Sequence, residues 1–225
     1  MAWTELASAH QNDSELALYR ADDGAYMIRI DGLELMNSRW HRSEDELGAL
    51  AGALAPRPNP QVLLGGLGLG YTLATLVGTL GGRGRITVAE ISTYVIAWYE
   101  RWFEPALFAE RPKNVRLVAA DVAVLLQGVS EYDVIILDID NGPRPLSAAS
   151  NEFLYSEDGL RALRSSLAEG GMLLVWSGFE APELVARAEA VGFTVACQPV
   201  ALPNRKDLFH YIYQLFRLPA ANTTQ

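Results

Sequence analysis

Hydrophobic positions along this chain change period, and the changes mark its organisation. Between Glu15 and Asn37 they alternate, as Leu16 and Leu18, then Tyr26, Ile28 and Ile30, then Leu33 and Leu35. The runs are separated by Asp22-Asp23-Gly24 and Asp31-Gly32. Period two broken by Asp-Gly pairs predicts a small set of antiparallel β-hairpins. Ser43-Glu44-Asp45-Glu46 then reads as a capping box, Ser43 and Glu46 lying three apart, for a helix through Leu54. Pro56, Pro58 and Pro60 end that helix and make a stiff connector. The chain is thereby divided into an N-terminal hairpin region with its helix, residues 1–55, and a main domain, residues 56–225.

In the main domain, short apolar runs alternate with segments of helical period. Strands are predicted from Gln61, over Ile86 to Glu90, Asn114 to Ala120, Tyr132 to Leu137 and Met172 to Trp176. Ser92 is placed to cap a helix carrying Val95, Ile96, Tyr99, Trp102 and Phe103, aromatics expected in the core. Further helices are expected over Val122 to Gly128, Glu157 to Leu167 with Ser156 as cap, and Pro182 to Val191. Phe193 to Cys197 and His210 to Leu218 read as a closing antiparallel pair. Strands alternating with helices imply an α/β fold with a mostly parallel, three-layer sheet. Ligands in such sheets bind beyond the carboxyl ends of the strands, where the strand order switches.

Those ends carry the candidate chemistry. The first delivers Gly65-Gly66-Leu67-Gly68-Leu69-Gly70 into a helix-length segment. Glycines there let the chain turn sharply and bring bare backbone amides to a ligand at a helix N-terminus. The second ends on Glu90, twenty residues past Gly70 and placed to accept both hydrogen bonds of a ribose diol. The third ends on Asp121, the fourth on Asp138-Ile139-Asp140-Asn141-Gly142-Pro143. Two patterns are narrowly missed. The dinucleotide fingerprint counted from Gly66 needs glycine where Tyr71 stands, and the Walker A pattern over Gly65 to Thr72 lacks its lysine at the same residue. A nucleoside without phosphates fits best. The blander readings are a glycine-rich turn, a solvated Glu90, a helix-capping Asp121, and turn-forming bonds from Asp138 and Asp140.

Composition narrows the partners. Half of the 225 residues are apolar, enough for a substantial core, and the net charge of −9 argues against a nucleic-acid-binding face. An acidic surface favours cationic small molecules such as amines. The single Cys197 excludes an internal disulfide, and His10, His41 and His210 have no ligand-like spacing, so no metal is expected. Gln61 to Gly82 is uncharged and long enough to span a bilayer, yet its clustered glycines fit a strand-to-helix turn better. No signal peptide is read in Met1 to Glu5, and a cytoplasmic protein without membrane partners is expected.

The G-x-G-x-G of Gly66, Gly68 and Gly70 with the acidic strand end resembles the S-adenosylmethionine site of class I methyltransferases. Taken through Leu137 and the acidic segment at its carboxyl side, the order of motifs resembles the spermidine synthase family of polyamine aminopropyltransferases, which share that fold. The likeness runs from Ile30-Asp31-Gly32 and Pro58-Asn59-Pro60 to Asn151-Glu152-Phe153-Leu154-Tyr155-Ser156-Glu157-Asp158-Gly159-Leu160. It implies a Rossmann-like, seven-stranded fold and a homodimer in contact through the N-terminal hairpins. It also implies a donor site of Gly65, Gly66, Gly68 and Gly70, with Glu90 on the ribose, Asp121 on the adenine amino group, and their neighbours Ile91 and Val122. Asp138, Asp140 and Asn141 then face the sulfonium and the acceptor, and Tyr155 lies where the family closes a loop over substrate.

Departures fall at the positions that define aminopropyl transfer. The family's Asp-Ser-Thr-Asp-Pro is here Asp138-Ile139-Asp140-Asn141-Gly142, its glycine-loop aspartate is Gly68, and its Tyr-His-Glu has only His41-Arg42-Ser43-Glu44 as a loose counterpart. A loop aspartate would repel the carboxylate of intact S-adenosylmethionine, so Gly68 tips the expectation towards that donor and methyl transfer to a small-molecule acceptor. Aminopropyl transfer from decarboxylated S-adenosylmethionine to a polyamine is the alternative. A catalytically idle nucleoside-binding or assembly domain is the third reading.

Overall fold

The structure is a computed structural model that describes residues 2–11, 13–126, 131–139, 142–143, 149–202 and 205–218. Two sheets organise it. Strands β1 (Trp3–Gln11), β2 (Ser14–Ala21), β3 (Tyr26–Ile30) and β4 (Leu33–Asn37) form an antiparallel sheet in sequential order. At the β3–β4 turn Asp31 and Gly32 have φ of +48° and +78°, the handedness a two-residue hairpin turn requires. β1 is not foreshadowed by the hydrophobic pattern. It is an edge strand of mostly polar and small residues, none of them fully buried, and so carries no apolar alternation.

Helix α1 (Arg42–Leu54) follows. Its expected capping box does not form. His41 is the N-cap and makes no side-chain capping bond, Ser43 turns inward, and Glu46 instead meets Arg42 at 2.9 Å and Gln198 at 3.0 Å. α1 lies tightly along α2 (Tyr71–Leu80): a Cβ on Gly48 would stand 2.4 Å from the Thr72 carbonyl.

The main sheet contains β5 (Gln61–Gly65), β6 (Arg85–Glu90), β7 (Val115–Ala119), β8 (Tyr132–Leu137), β9 (Leu167–Ser177), β10 (Thr194–Leu202) and β11 (Arg205–Phe216). Its order is β10-β11-β9-β8-β5-β6-β7, with β11 antiparallel to both neighbours. The closing pair is longer than the sequence pattern indicates. Exposed and buried residues mix along β10, and its apolar run stops early. Helices α3 (Thr93–Trp98), α4 (Glu104–Leu107), α5 (Val122–Leu125), α6 (Ala149–Leu154), α7 (Glu157–Ser166) and α8 (Pro182–Ala190) cover the sheet. α3 passes into α4 through a π-helical turn, Tyr99–Phe103. Ser92 and Ser156 cap α3 and α7 as expected, accepting from the Val95 and Gly159 N–H groups.

β8 shows why the sheet is an inner layer. Val134 and Ile136 join the core shared with the N-terminal sheet, while Ile135 and Leu137 join the core under α6, α7 and α8. Alternate residues thus point to two buried faces, which explains the unbroken apolar run. Leu18 and Ile28 of the hairpins share the first of these cores with Val62 and Leu64 of β5. The strand order reverses between β5 and β8, and the cavity opens at their carboxyl ends. No helix among the described residues is long and apolar enough to cross a membrane.

Candidate active site

The glycine loop is held by its neighbours on every side. Gly66 donates to the Ala89 carbonyl at 2.9 Å, and its φ of +91° turns the chain away from β5. A Cβ there would lie 2.0 Å from the Asp138 carbonyl, so only glycine lets the ends of β5 and β8 pass. Gly70, φ +88°, begins α2 as its N-cap, and a Cβ there would strike the Tyr99 ring at 2.3 Å. The side chain of Met36 covers Gly68, its thioether 2.7 Å from where a Cβ would be.

Glu90 is anchored at the end of β6. Its two carboxylate oxygens accept from the Leu67 and Ser92 N–H groups, each at 2.9 Å. Burial pushes its pKa up, against the pull of these and neighbouring amide bonds. Glu90 is therefore no solvated strand end: it lines the cavity and also pins the loop that lines it. Asp121 does two things as well. It caps α5, accepting from the Ala123 N–H at 2.9 Å, and it lines the cavity with Ile91 and Val122.

The other end of the cavity is assembled from distant parts of the chain. Asp138, leaving β8, accepts from the Thr72 hydroxyl at 2.5 Å. Desolvation lifts its pKa to about 6, although the Thr72 bond opposes the rise. Glu44, from the first turn of α1, reaches the same cavity, where burial and then the Asp138 charge raise it to about 7. The Ser43 hydroxyl lies 2.5 Å from Glu44 Oε2 and 2.8 Å from His210 Nδ1. Trp176 meets the His210 ring edge-on, centroids 4.8 Å apart, and both line the cavity.

The cavity encloses about 760 Å³, of the size that takes a nucleoside and a second small molecule. Glu34, Glu44, Glu90, Asp121 and Asp138 line it, and no Lys or Arg does among the residues whose side chains are described, which leave out Arg205 and Lys206. Such a lining is suited to cations. The described residues include no group of three or more side chains arranged to hold a metal.

Most of the expected donor residues meet here: Gly66, Gly68, Gly70, Glu90, Ile91, Asp121 and Val122 all line the cavity, as does Asp138. Four other expected residues lie elsewhere or outside the described residues. Gly65 is a buried strand residue set against Val122, where a Cβ would stand 3.0 Å from Val122 Cγ2, and it is not among the residues that line the cavity. Tyr155 is 1% exposed within the core under α7 and is not among the residues that line the cavity. Asp140 and Asn141 lie outside the described residues. Trp176 and His210 enter the site without any motif to mark them, Thr72 is marked only as the last residue of a near Walker A pattern, and Glu44 only as a helix-cap acid in a loose counterpart of Tyr-His-Glu. A lone histidine on a strand carries no spacing signal, and Thr72 reads as the first turn of any helix.

Comparison with known proteins bears on the fold. No family model matches the chain, and no curated protein does. Among solved structures, spermidine synthase from Thermotoga maritima superposes with a TM-score of 0.73 at 18% identity, covering 95% of this chain and 72% of that one. A spermidine synthase in complex with the transition state analogue AdoDATO gives 0.72 at 17%, with the same coverage of 95% and 72%. A probable spermidine synthase from Corynebacterium glutamicum gives 0.67 at 14%, covering 97% of this chain and 83% of that one. The chain has the fold of the spermidine synthases, a class I methyltransferase-like sheet preceded by an antiparallel hairpin sheet.

Proposed function

We propose that the chain transfers an aminopropyl group from decarboxylated S-adenosylmethionine to a small amine, a polyamine-type acceptor. The observation that carries this reading is the acidic lining of the cavity without a described Lys or Arg. A donor carboxylate held ~5 Å from one ionised carboxylate would be repelled by roughly 3 kcal/mol at an effective dielectric of ~20. An ammonium there gains as much. The carboxylate expected to be missing for want of a Tyr-His-Glu motif is supplied by Glu44, which stands with Asp138 at the acceptor end. The spermidine synthase bound to a transition state analogue adds support for the decarboxylated donor.

A sulfonium donor supplies an electrophilic carbon whose bond to sulfur breaks, the electron pair staying on sulfur, as the amine forms its C–N bond. This chain's residues provide position and charge. The loop of Gly66, Gly68 and Gly70 presents backbone to the nucleoside, with Glu90 and Asp121 facing its sugar and base. Asp138, its carboxylate fixed by Thr72, orients the acceptor nitrogen. Met36 and Trp176 add apolar walls that limit water at the reacting carbon.

Methyl transfer from intact S-adenosylmethionine keeps one observation in its favour, the absence of a carboxylate at Gly68. Product analysis separates the two. Mass spectrometry of reactions offered either donor with a panel of diamines should show mass gain by an aminopropyl group with the decarboxylated donor. Methylated products from the intact donor, with none from the decarboxylated one, would overturn the proposal.

A further inference from the structure

The two carboxylates at the acceptor end are connected differently. Asp138 is tied to the Thr72 hydroxyl, which donates to it and favours its ionised form. Glu44 is tied to Ser43, a buried hydroxyl that also touches His210 Nδ1. A hydroxyl has one proton, so Ser43 donates to one of these partners while accepting from the other. When Glu44 is ionised, His210 Nδ1–H donates to Ser43 and Ser43 donates to Glu44. When Glu44 is protonated, every bond reverses, Ser43 donates to Nδ1, and the neutral imidazole carries its proton on Nε2. The second arrangement holds one proton more than the first, and it becomes the first when Glu44 passes its proton to Ser43, Ser43 passes its own to Nδ1 and the Nε2 proton leaves, with no heavy atom displaced.

We propose that Glu44 takes the proton of the acceptor amine and that Ser43 and His210 relay it away from the reacting atoms. The inference rests on the group-transfer reading of this cavity. An acceptor ammonium gives one proton to Glu44, its freed lone pair forms the C–N bond as the C–S bond breaks, and the product leaves as a secondary ammonium. The one proton released is relayed when the ring holds its proton on Nε2 and Nδ1 is bare: Glu44 passes a proton to Ser43, Ser43 passes its own to Nδ1, the Nε2 proton goes to solvent, and exchange of the ring proton with water restores Nε2–H before the next turnover. Ser43 and His210 also border a separate small cleft of about 10 Å³ with Arg42 and Val200. That is about the space of one water, and it gives the relay an end outside the main cavity.

Around Glu44 the titratable groups whose side chains are described are Asp138 from the end of β8, Tyr71 from α2, Asp45 on α1 itself and His210 from β11; β9 contributes the uncharged Trp176. Burial and Asp138 bring Glu44 to about 7, suited to exchanging a proton near neutrality. Burial lowers the pKa of His210, so its imidazole is neutral and able to receive a proton and lose it again. In this assignment Asp138 orients and Glu44 accepts, two carboxylates given different roles by their surroundings. Ser43 and His210 are positioning residues.

The test combines kinetics with an independent titration. Using decarboxylated S-adenosylmethionine and 1,4-diaminobutane, kcat and KM are measured against pH for the wild type, Ser43→Ala and Ser43→Thr. Ser43→Ala should lower kcat roughly 10- to 100-fold and displace the limb near pH 7, with donor KM unchanged, and Ser43→Thr should recover most of the rate. Separately, NMR follows the histidine rings, of which the chain has three, in the wild type and Glu44→Gln. Losing the nearby negative charge should lower the His210 midpoint further. A wild-type rate and pH profile in Ser43→Ala, or a His210 titration that ignores Glu44→Gln, would overturn the relay while leaving the transfer reading in place. Failure of the wild type to form product with either donor and any amine would sink the transfer reading and the relay together.

Discussion

The two ends of the cavity are built on opposite plans. The end proposed for the donor is mostly backbone: glycines at positive φ, strand termini, and carboxylates whose first partners are peptide N–H groups, as Glu90 shows with Leu67 and Ser92. The acceptor end is mostly side chain. Ser43, Glu44, Thr72, Asp138, Trp176 and His210 come from α1, α2, the end of β8, β9 and β11, and they bond chiefly to one another. A backbone site is fixed by the fold and tolerates little change in chain geometry. A side-chain site can be altered one group at a time, and its protonation depends on its neighbours.

This contrast can be broken at each end. The largest effect belongs to Gly66→Ala. A Cβ 2.0 Å from the Asp138 carbonyl at φ +91° combines left-handed backbone strain with overpacking, together roughly 2–5 kcal/mol. Urea denaturation should show that loss, and a stability equal to the wild type would mean the loop has slack that the structure denies.

The acceptor end responds to pH instead. Folding raises Glu44 from 4.5 to about 7, so its protonated form is favoured in the folded state. The stability associated with that group is fully present below pH 4.5 and is lost as pH rises through about 7. Glu44→Gln cannot ionise and escapes that loss. Relative to the wild type, it should gain stability between pH 4.5 and 7, reaching roughly 3 kcal/mol at pH 8. Denaturation midpoints of the two proteins that run parallel across this range would show Glu44 to be an ordinary surface acid.

Glu90→Ala is the smallest of the three and probes the meeting of the two plans. It removes a ligand-facing carboxylate and two bonds that hold the loop. Donor affinity should fall by roughly 1–3 kcal/mol in a calorimetric titration, with faster hydrogen exchange at the Leu67 and Ser92 amides. An unchanged donor affinity would remove the sugar contact assigned to it.

The same contrast explains what could be read from the residues alone. Gly66 to Gly70, Glu90, Asp121 and Asp138 are legible because each sits at the end of an apolar strand, and the parallel topology carries strand ends to one rim. Ser43 and His210 are 167 residues apart and meet only through packing. Ser43-Glu44-Asp45-Glu46 satisfies a local rule for helix capping, yet Glu44 lines the cavity and Ser43 bonds to Glu44 and His210. Local rules fail most informatively at such functional positions. Tyr155 shows the converse, a residue marked by its motif that the core absorbs, its ring filling space beside Leu154 and Leu160. The early end expected for the last hairpin has a plainer cause, since the outer strand β10 mixes exposed and buried residues and blurs the period-two signal.

The central claim is that this cavity prefers a cation lacking a carboxylate. Isothermal titration of the wild-type chain at pH 8 with intact and with decarboxylated S-adenosylmethionine tests it most directly. The acidic lining predicts binding of the decarboxylated compound at least ~10-fold tighter, a difference of about 1.4 kcal/mol. Equal or tighter binding of the intact compound would contradict it.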